Sequence, residues 1–382
     1  MQESLVPGIV QALIAPDKFK GSLTATEVAN ALATGLRCAT GTRTVRCDLL
    51  PLADGGDGSV DAAVASGFTR HTCTVTGPTG QPRRADIAFD GTTAVVEVAN
   101  TCGMALLENK TLEPLNASSR GFGEAILFAL TLKPARIVLA LGGSASTDGG
   151  MGMLTVLGYS FLDADEHQLR GSGRTLTQIH TIHHTPLPEL DTTELIVASD
   201  VHNPLLGNQG AAAVFGPQKG AGTDDVATLD RGLQHLVATL AEAGIPGAAA
   251  MAGHEGAGSA GGIGYACLLL RARQVSGADF FLDLLDFNTR KENCDIVITG
   301  EGSLDEQTLA GKLPAALARR TGKRPVIAVA GRSLLSKEQC SEMSLTCVYT
   351  LADYTNKDSS TDPELSVTLL HKIGRDIGTN IL

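Results

Sequence analysis

Several short loops in this 382-residue chain combine glycine with charged or hydroxyl-bearing residues, and most of them follow an apolar run. The first is Asp17-Lys18-Phe19-Lys20-Gly21-Ser22. Free N–H groups at a helix start favour an anion there, and a lysine in the loop can neutralise phosphate charge. The same residues also suit a plain solvated turn. Asp54-Gly55-Gly56-Asp57-Gly58 comes second. Two carboxylates separated by flexible glycine suit Mg²⁺, a hard cation that takes carboxylate and phosphate oxygens; the alternative is that Asp57 caps the next helix. Gly142-Gly143-Ser144-Ala145-Ser146-Thr147-Asp148-Gly149-Gly150 is the third. Successive backbone N–H groups in such turns form anion-binding nests.

Asp200 and Asn203 follow an apolar run at 194–199, and Lys219 lies in Phe215-Gly216-Pro217-Gln218-Lys219-Gly220. A carboxylate at a strand end can act as general base for a substrate hydroxyl or as a metal ligand. Lys219 can supply charge to phosphate. Structural readings compete: Asp200 as a turn former, Lys219 as a surface residue. A glycine-rich stretch at 253–264 and the loop Gly300-Glu301-Gly302-Ser303-Leu304-Asp305 complete the set.

Known phosphate motifs are missing. Gly311-Lys312 lacks the preceding glycine of a Walker A loop, and Leu313 stands where serine or threonine belongs. There is no protein-kinase H-R-D and no D-x-D nucleophile after the first apolar run. His180, His183 and His184 fall in a proline-containing loop without metal-ligand spacing, which reads as surface. The net charge of −11 argues against a nucleic-acid partner. It also gives anionic substrates no general attraction, so local lysines, arginines, backbone N–H groups and Mg²⁺ must bind them. Eight irregularly spaced cysteines without a C-x-x-C pair suggest reduced thiols and a cytoplasmic protein. No run approaches the ~18 apolar residues of a membrane span.

The elements that must position these loops follow a βα rhythm. Residues 9–15 read as a strand, and Thr24 with Glu27 forms a capping box before a helix with Val28, Leu32 and Leu36 on one face. Strand, loop and helix recur at 45–50, 51–58 and 59–66, with Gly67 as the stop. Residues 85–99 alternate around Asp90-Gly91, a hairpin signal. Helix at 120–132, strands at 136–141, 158–162 and 194–199, and helix at 224–243 follow. Buried-type strands return at 295–299 and 325–330. The ends resemble each other and the middle differs, which implies one α/β domain built from both termini and a second inserted between them.

In order along nearly the whole chain, APDKFKGSLTATEVANAL, PLADGGDGSVDA, GPTGQP, SSRGFGEAI, LGGSASTDGGMGM, ASDVHNPLLGNQGAAAVFGPQKGA, AGSAGGIGYA, FNTRKENCDIVITGEGSLDEQTLAGK and PVIAVAG resemble the bacterial glycerate kinases of the glyoxylate- and galactarate-pathway type. The resemblance implies ATP- and Mg²⁺-dependent phosphorylation of D-glycerate, to 2-phosphoglycerate or alternatively 3-phosphoglycerate. A non-catalytic anion-binding or regulatory protein on the same fold is the rival reading, and retention of the Asp and Lys side chains favours the enzyme. The resemblance also implies a flavodoxin-like parallel-sheet domain from residues 1–68 and 287–382, an inserted α/β domain at 69–286, and an active site in the cleft between them.

Carried onto this sequence, the family's recurring polar positions fall on Asp17, Lys20, Asp54, Arg120, Asp148, Asp200, Asn203, Gln218, Lys219, Glu301 and Asp305. Of these, Asp200, Lys20 and Lys219 are expected to be catalytic, and Asp17, Arg120, Asn203 and Gln218 to contact substrate. Phosphate or nucleotide contacts fall to Gly142, Gly143, Ser144, Asp148, Gly261, Gly262, Glu301 and Asp305, and Mg²⁺ to Asp54 and Asp57. Arg120, at a predicted helix start, is expected to hold the substrate carboxylate through a bidentate pair. Two positions depart from the pattern: Lys18 replaces a small hydroxyl residue, and Asp57 a frequent glutamate.

Overall fold

A computed structural model describes residues 8–39, 44–309 and 312–381, so Gly311 lies outside the described residues. The chain divides into two compact units, residues 1–54 with 278–382, and residues 55–277.

In the first unit five strands form one sheet in the order Cys347–Thr350, Val326–Ser333, Ile296–Leu304, Ile9–Pro16, Thr44–Leu49. Every neighbouring pair is parallel. Numbered within the unit the order is 5-4-3-1-2, the flavodoxin-like winding expected from the family resemblance. Strand order reverses between Ile9–Pro16 and Ile296–Leu304, and ligands of such sheets sit beyond the carboxyl ends of strands at that point. Apolar β-branched runs make these strands buried on both faces: Leu13, Ile14, Val297 and Ile298 are fully buried.

The capping box forms as expected. Thr24 Oγ1 accepts the Glu27 N–H at 3.2 Å, Glu27 Oε2 accepts the Thr24 N–H at 2.8 Å, and helix Ala25–Arg37 starts there. This helix packs along Pro363–Ile381. Gly35 makes the close approach possible, since a Cβ there would lie 2.2 Å from the His371 carbonyl oxygen.

The second unit holds a six-stranded mixed sheet, ordered Arg273–Val275, Glu194–Ala198, Arg136–Ala140, Thr93–Glu97, Pro82–Phe89, Thr69–Thr76. The first four strands are parallel and the last two antiparallel. Asp90-Gly91 turns the hairpin: Asp90 Oδ1 accepts the N–H groups of Thr92 and Thr93, and Gly91 has φ +96°. Arg120–Thr131 and Thr223–Glu242 are helices, close to the expected spans. The segment with His180, His183 and His184 corrects the loop reading, because Thr181–His184 pairs with Tyr159–Leu162 as a small antiparallel sheet. His184 stacks on Tyr159 at 4.2 Å, and alternation on a half-exposed hairpin hides the strand signal in so short a run.

The junctions fall at 54/55 and 277/278, whereas the sequence reading places them at 68/69 and 286/287. Helix Ser59–Ala65 belongs to the second unit because Val60 donates its N–H to Glu97 at 3.0 Å. Residues 278–286 join the first unit through Asp279 and Asp283, which pair with Arg320. No helix among the described residues is long and apolar enough to cross a membrane. All eight cysteines are free thiols.

Candidate active site

In the first unit the loop after Ile9–Pro16 is a closed turn. Phe19 and Leu23 exchange backbone hydrogen bonds at 2.8 and 3.0 Å and both side chains are buried. These anchors leave Lys20 exposed at the tip, beside Gly21 with φ +88°. Asp17 is buried at the strand end; its Oδ1 accepts the Lys18 N–H at 2.7 Å, and its own N–H donates to the Gly300 carbonyl at 2.8 Å. That bond ties the loop to the adjacent strand across the reversal point.

Glu301 is therefore brought beside the Asp17 loop. It is buried, its Oε1 accepts the Thr308 hydroxyl, and its carboxyl is pushed up to about 7. Burial is the main cause and Asp17 and Asp305 add to it, opposed by Thr308 and Lys312. Asp54 ends this unit, just past residues that continue the sheet: Leu50 and Leu52 donate to the Ile14 and Pro16 carbonyls, each at 2.9 Å.

In the second unit the carboxyl ends of the four parallel strands align. Glu97 is level with Ala140, Ala140 with Ala198, and Ala198 with Val275. Two expected loops leave from this row, 142–150 after Ala140 and the Asp200–Asn203 turn after Ala198. Residues 55–58 lie over it: a Cβ at Gly55 would sit 2.2 Å from the Ala198 carbonyl oxygen, and one at Gly142 would sit 2.5 Å from Gly56 Cα. Glycine is required at both because backbone crosses backbone. Asp57, exposed, stands beside Gly143. Its alternative role as helix cap does not hold: the N-cap of Ser59–Ala65 is Gly58 at φ +92°, and Glu97 accepts N–H groups of that turn.

Glu97 was not found by the sequence reading. A single acid inside the apolar run Val95-Val96-Glu97-Val98 gives no loop signal. Burial, with Asp57 and Asp61 adding, pushes it up to about 7. Because this folded-state value exceeds the ordinary 4.5, the native state holds its proton more tightly than the unfolded chain. The stability so gained is present in full below 4.5 and is lost as pH rises through 7. From pH 5 to pH 8 the wild type is expected to lose about 2–3 kcal/mol relative to Glu97→Gln, measured by urea unfolding at both pH values. Parallel pH dependence in the two proteins would contradict the assignment.

Asp148 is fully buried and accepts four hydrogen bonds: Ser119 N–H and Oγ–H at 2.8 Å, and Gly150 and Gly152 N–H at 3.2 Å. Lys219 is also buried, which overturns the alternative surface reading. Its Nζ donates to the Ser146 carbonyl, and desolvation pulls its pKa down to about 8 against the attraction of Asp148. Ser144 Oγ donates to the Ala260 carbonyl at 3.2 Å, and Gly149 N–H to the Gly261 carbonyl at 3.0 Å. The loops 142–150 and 258–262 are thus fastened together. Gly261 and Gly262 both have positive φ, and a Cβ on Gly261 would lie 2.8 Å from Lys219 Nζ. Thr147 Oγ1, in the same loop, is buried without a hydrogen-bond partner.

Asp200 lies just past Ala198, partly buried, and its Oδ1 accepts the Gly277 N–H at 3.0 Å. Asn203 ties the next turn: its carbonyl accepts Gly258 N–H at 2.9 Å, and its Nδ2 donates to Gln209 O at 2.9 Å. Gln218 is exposed next to buried Lys219 on the short helical turn Pro217–Lys219. Arg120 starts its helix as expected, with Nε donating to Glu124 Oε1 at 2.9 Å.

A flavodoxin-like half and a mixed-sheet half, each with its polar residues at the carboxyl ends of parallel strands, define a two-unit α/β enzyme. The profile of the glycerate kinase family matches residues 12–379, and the chain belongs to that family. It is 40% identical over 329 residues to a glycerate kinase of Bacillus subtilis (strain 168), covering 84% of this chain and 85% of that protein. It is 38% identical over 340 residues to the glycerate 2-kinase of Escherichia coli (strain K12), with the same coverage. A crystal structure from Salmonella typhimurium LT2, described as glycerate kinase 2, superposes with a TM-score of 0.79 at 32% identity, covering 98% of each chain. The protein is accordingly a kinase with ATP as co-substrate.

Proposed function

We propose that the enzyme transfers the γ-phosphoryl group of ATP to the 2-hydroxyl of D-glycerate in the cytoplasm, giving 2-phosphoglycerate and ADP. The observation that carries this reading is the family match from residue 12 to residue 379, which spans every candidate loop in both units. The Escherichia coli relative named glycerate 2-kinase supports the 2-position.

Arg120 holds the substrate carboxylate. Its Nε is committed to Glu124, which leaves the two terminal nitrogens for a bidentate pair. Asn203 and Gln218 flank the substrate hydroxyls with amide donors, and Asp17 accepts from one of them. Asp200 takes the proton of the attacking hydroxyl, while Lys20 neutralises the transferring group. Gly142, Gly143, Ser144, Asp148, Gly261 and Gly262 form the frame that faces phosphate, and Thr147 Oγ1 is a buried hydroxyl there with a bond still to make. Glu301 and Asp305 meet the nucleotide at the strand-order reversal.

Asp54 and Asp57 hold Mg²⁺. The donors fit a hard cation, and Asp57 already disfavours the ionised form of its neighbour Glu97, a crowding of like charge that a cation relieves. Bound there, Mg²⁺ supplies charge neutralisation for the phosphate oxygens.

Arg120→Lys keeps a cation in register with Glu124 but removes the planar fork. It is expected to raise the glycerate KM about 10-fold or more with the ATP KM unchanged, read from steady-state kinetics with each substrate varied. An unchanged glycerate KM would remove Arg120 from the substrate site.

A further inference from the structure

Glu301 depends on a residue that none of the glycine loops contains. Thr308 is fully buried in the short helix Glu306–Leu309. Its Oγ1 donates to Glu301 Oε1 and accepts the Asp305 N–H at 3.1 Å. Its own N–H bonds the Asp305 carbonyl at 2.9 Å. One side chain therefore links the carboxyl of Glu301, in strand Ile296–Leu304, to the backbone that carries Asp305.

A buried carboxylate without a donor is costly. The charged groups facing Glu301 are Asp17 and Asp305, which repel its ionised form, and Lys312, which favours it. Thr308 adds the hydrogen bond that this set lacks. It also commits Oε1, so Oε2 is the oxygen left for a ligand.

We propose that Thr308 is a positioning residue of the kinase reaction, whose hydroxyl fixes the Glu301 carboxylate so that Oε2 accepts a hydroxyl of the bound nucleotide. The inference rests on the reading above that Glu301 meets the nucleotide. Glu301 lies inside strand Ile296–Leu304, one residue past its last pairing with Ile9–Pro16 (Pro16 with Gly300), so its carboxylate stands at the strand-order reversal. That place suits a ribose hydroxyl, a neutral donor that needs an ionised and correctly turned acceptor. The value of about 7 already includes the Thr308 hydrogen bond. Without the threonine hydroxyl, Lys312 alone opposes burial and two carboxylates, and Glu301 keeps its proton to higher pH.

The test compares Thr308→Val, which removes the hydroxyl at equal size, with Thr308→Ala, which removes it without added bulk, and Thr308→Ser, which keeps it. Glu301→Gln and the double variant Glu301→Gln/Thr308→Val complete the set. ATP and glycerate KM and kcat are measured from pH 6 to 9, with thermal melts as a folding control. The valine and alanine variants are expected to raise the ATP KM about 10-fold at pH 7, to leave the glycerate KM unchanged, and to move the acidic limb of kcat/KM for ATP to higher pH. Serine is expected to restore values to within about twofold, and the double variant to match Glu301→Gln alone. Wild-type kinetics in a folded valine or alanine variant, with Glu301→Gln impaired, would overturn the role of Thr308. Wild-type kinetics in Glu301→Gln would instead remove Glu301 from the nucleotide site and with it the reading beneath.

Discussion

Asp148→Ala is expected to lower the unfolding free energy by about 3–5 kcal/mol and to abolish turnover. The carboxylate is fully buried and satisfies four donors from two segments, Ser119 and the start of helix Met151–Val156. Ser119 Oγ in turn accepts the Met153 N–H at 2.9 Å, so the pair clamps the helix start twice. Alanine strands those donors and removes the negative charge that favours ionised Lys219. Lys219 then keeps only the Ser146 carbonyl, and the fastening between the loops 142–150 and 258–262 loosens. Urea unfolding monitored by circular dichroism gives the magnitude. A loss below about 1 kcal/mol would mean that the network contributes little, and that the loop is held by its glycine packing instead.

Asp200→Asn tests chemistry where Asp148→Ala tests architecture. Asparagine keeps an oxygen that can accept the Gly277 N–H, so the turn after Ala198 and the melting temperature should stay close to wild type. The amide cannot take the substrate proton. A fall in kcat of about 10²–10⁴-fold is expected, with glycerate and ATP KM changed little. Near-normal turnover would remove Asp200 as the base and leave it as a turn residue.

Much of the local structure was legible because its signals are local. The Thr24/Glu27 box, the Asp90-Gly91 hairpin and the apolar runs of 9–15 and 295–299 each specify a structure through neighbours a few residues away. The strand order was not. Apolar runs state that a strand is buried but not which strand lies beside it, so the reversal between Ile9–Pro16 and Ile296–Leu304 follows from the family resemblance and not from periodicity. The junction near residue 55 was hidden for a similar reason, since helix Ser59–Ala65 is assigned to its unit by Glu97, far along the chain.

The candidate site divides along the same line. Charged residues in glycine loops after strands announce themselves, and Asp17, Lys20, Asp57 and Asp200 stand at strand ends or turn tips. Glu97, Thr308 and the burial of Lys219 do not announce themselves, because each depends on a partner brought near only by folding. Glycine is the hardest to read. Gly149 and Gly261 look like phosphate cradles, but Gly149 already donates its N–H to Gly261, so backbone meets backbone there before any ligand arrives. A sequence does not separate glycine that admits a ligand from glycine that admits another loop.

The most direct test of the account is the product formed from ATP, Mg²⁺ and D-glycerate. With the purified enzyme, proton-coupled phosphorus NMR should show ADP and a phosphomonoester doublet, from coupling to the single proton on carbon 2. A triplet from the two protons on carbon 3 would contradict the 2-position. ATP left intact in the presence of D-glycerate, with turnover on another hydroxy acid, would contradict glycerate as the substrate.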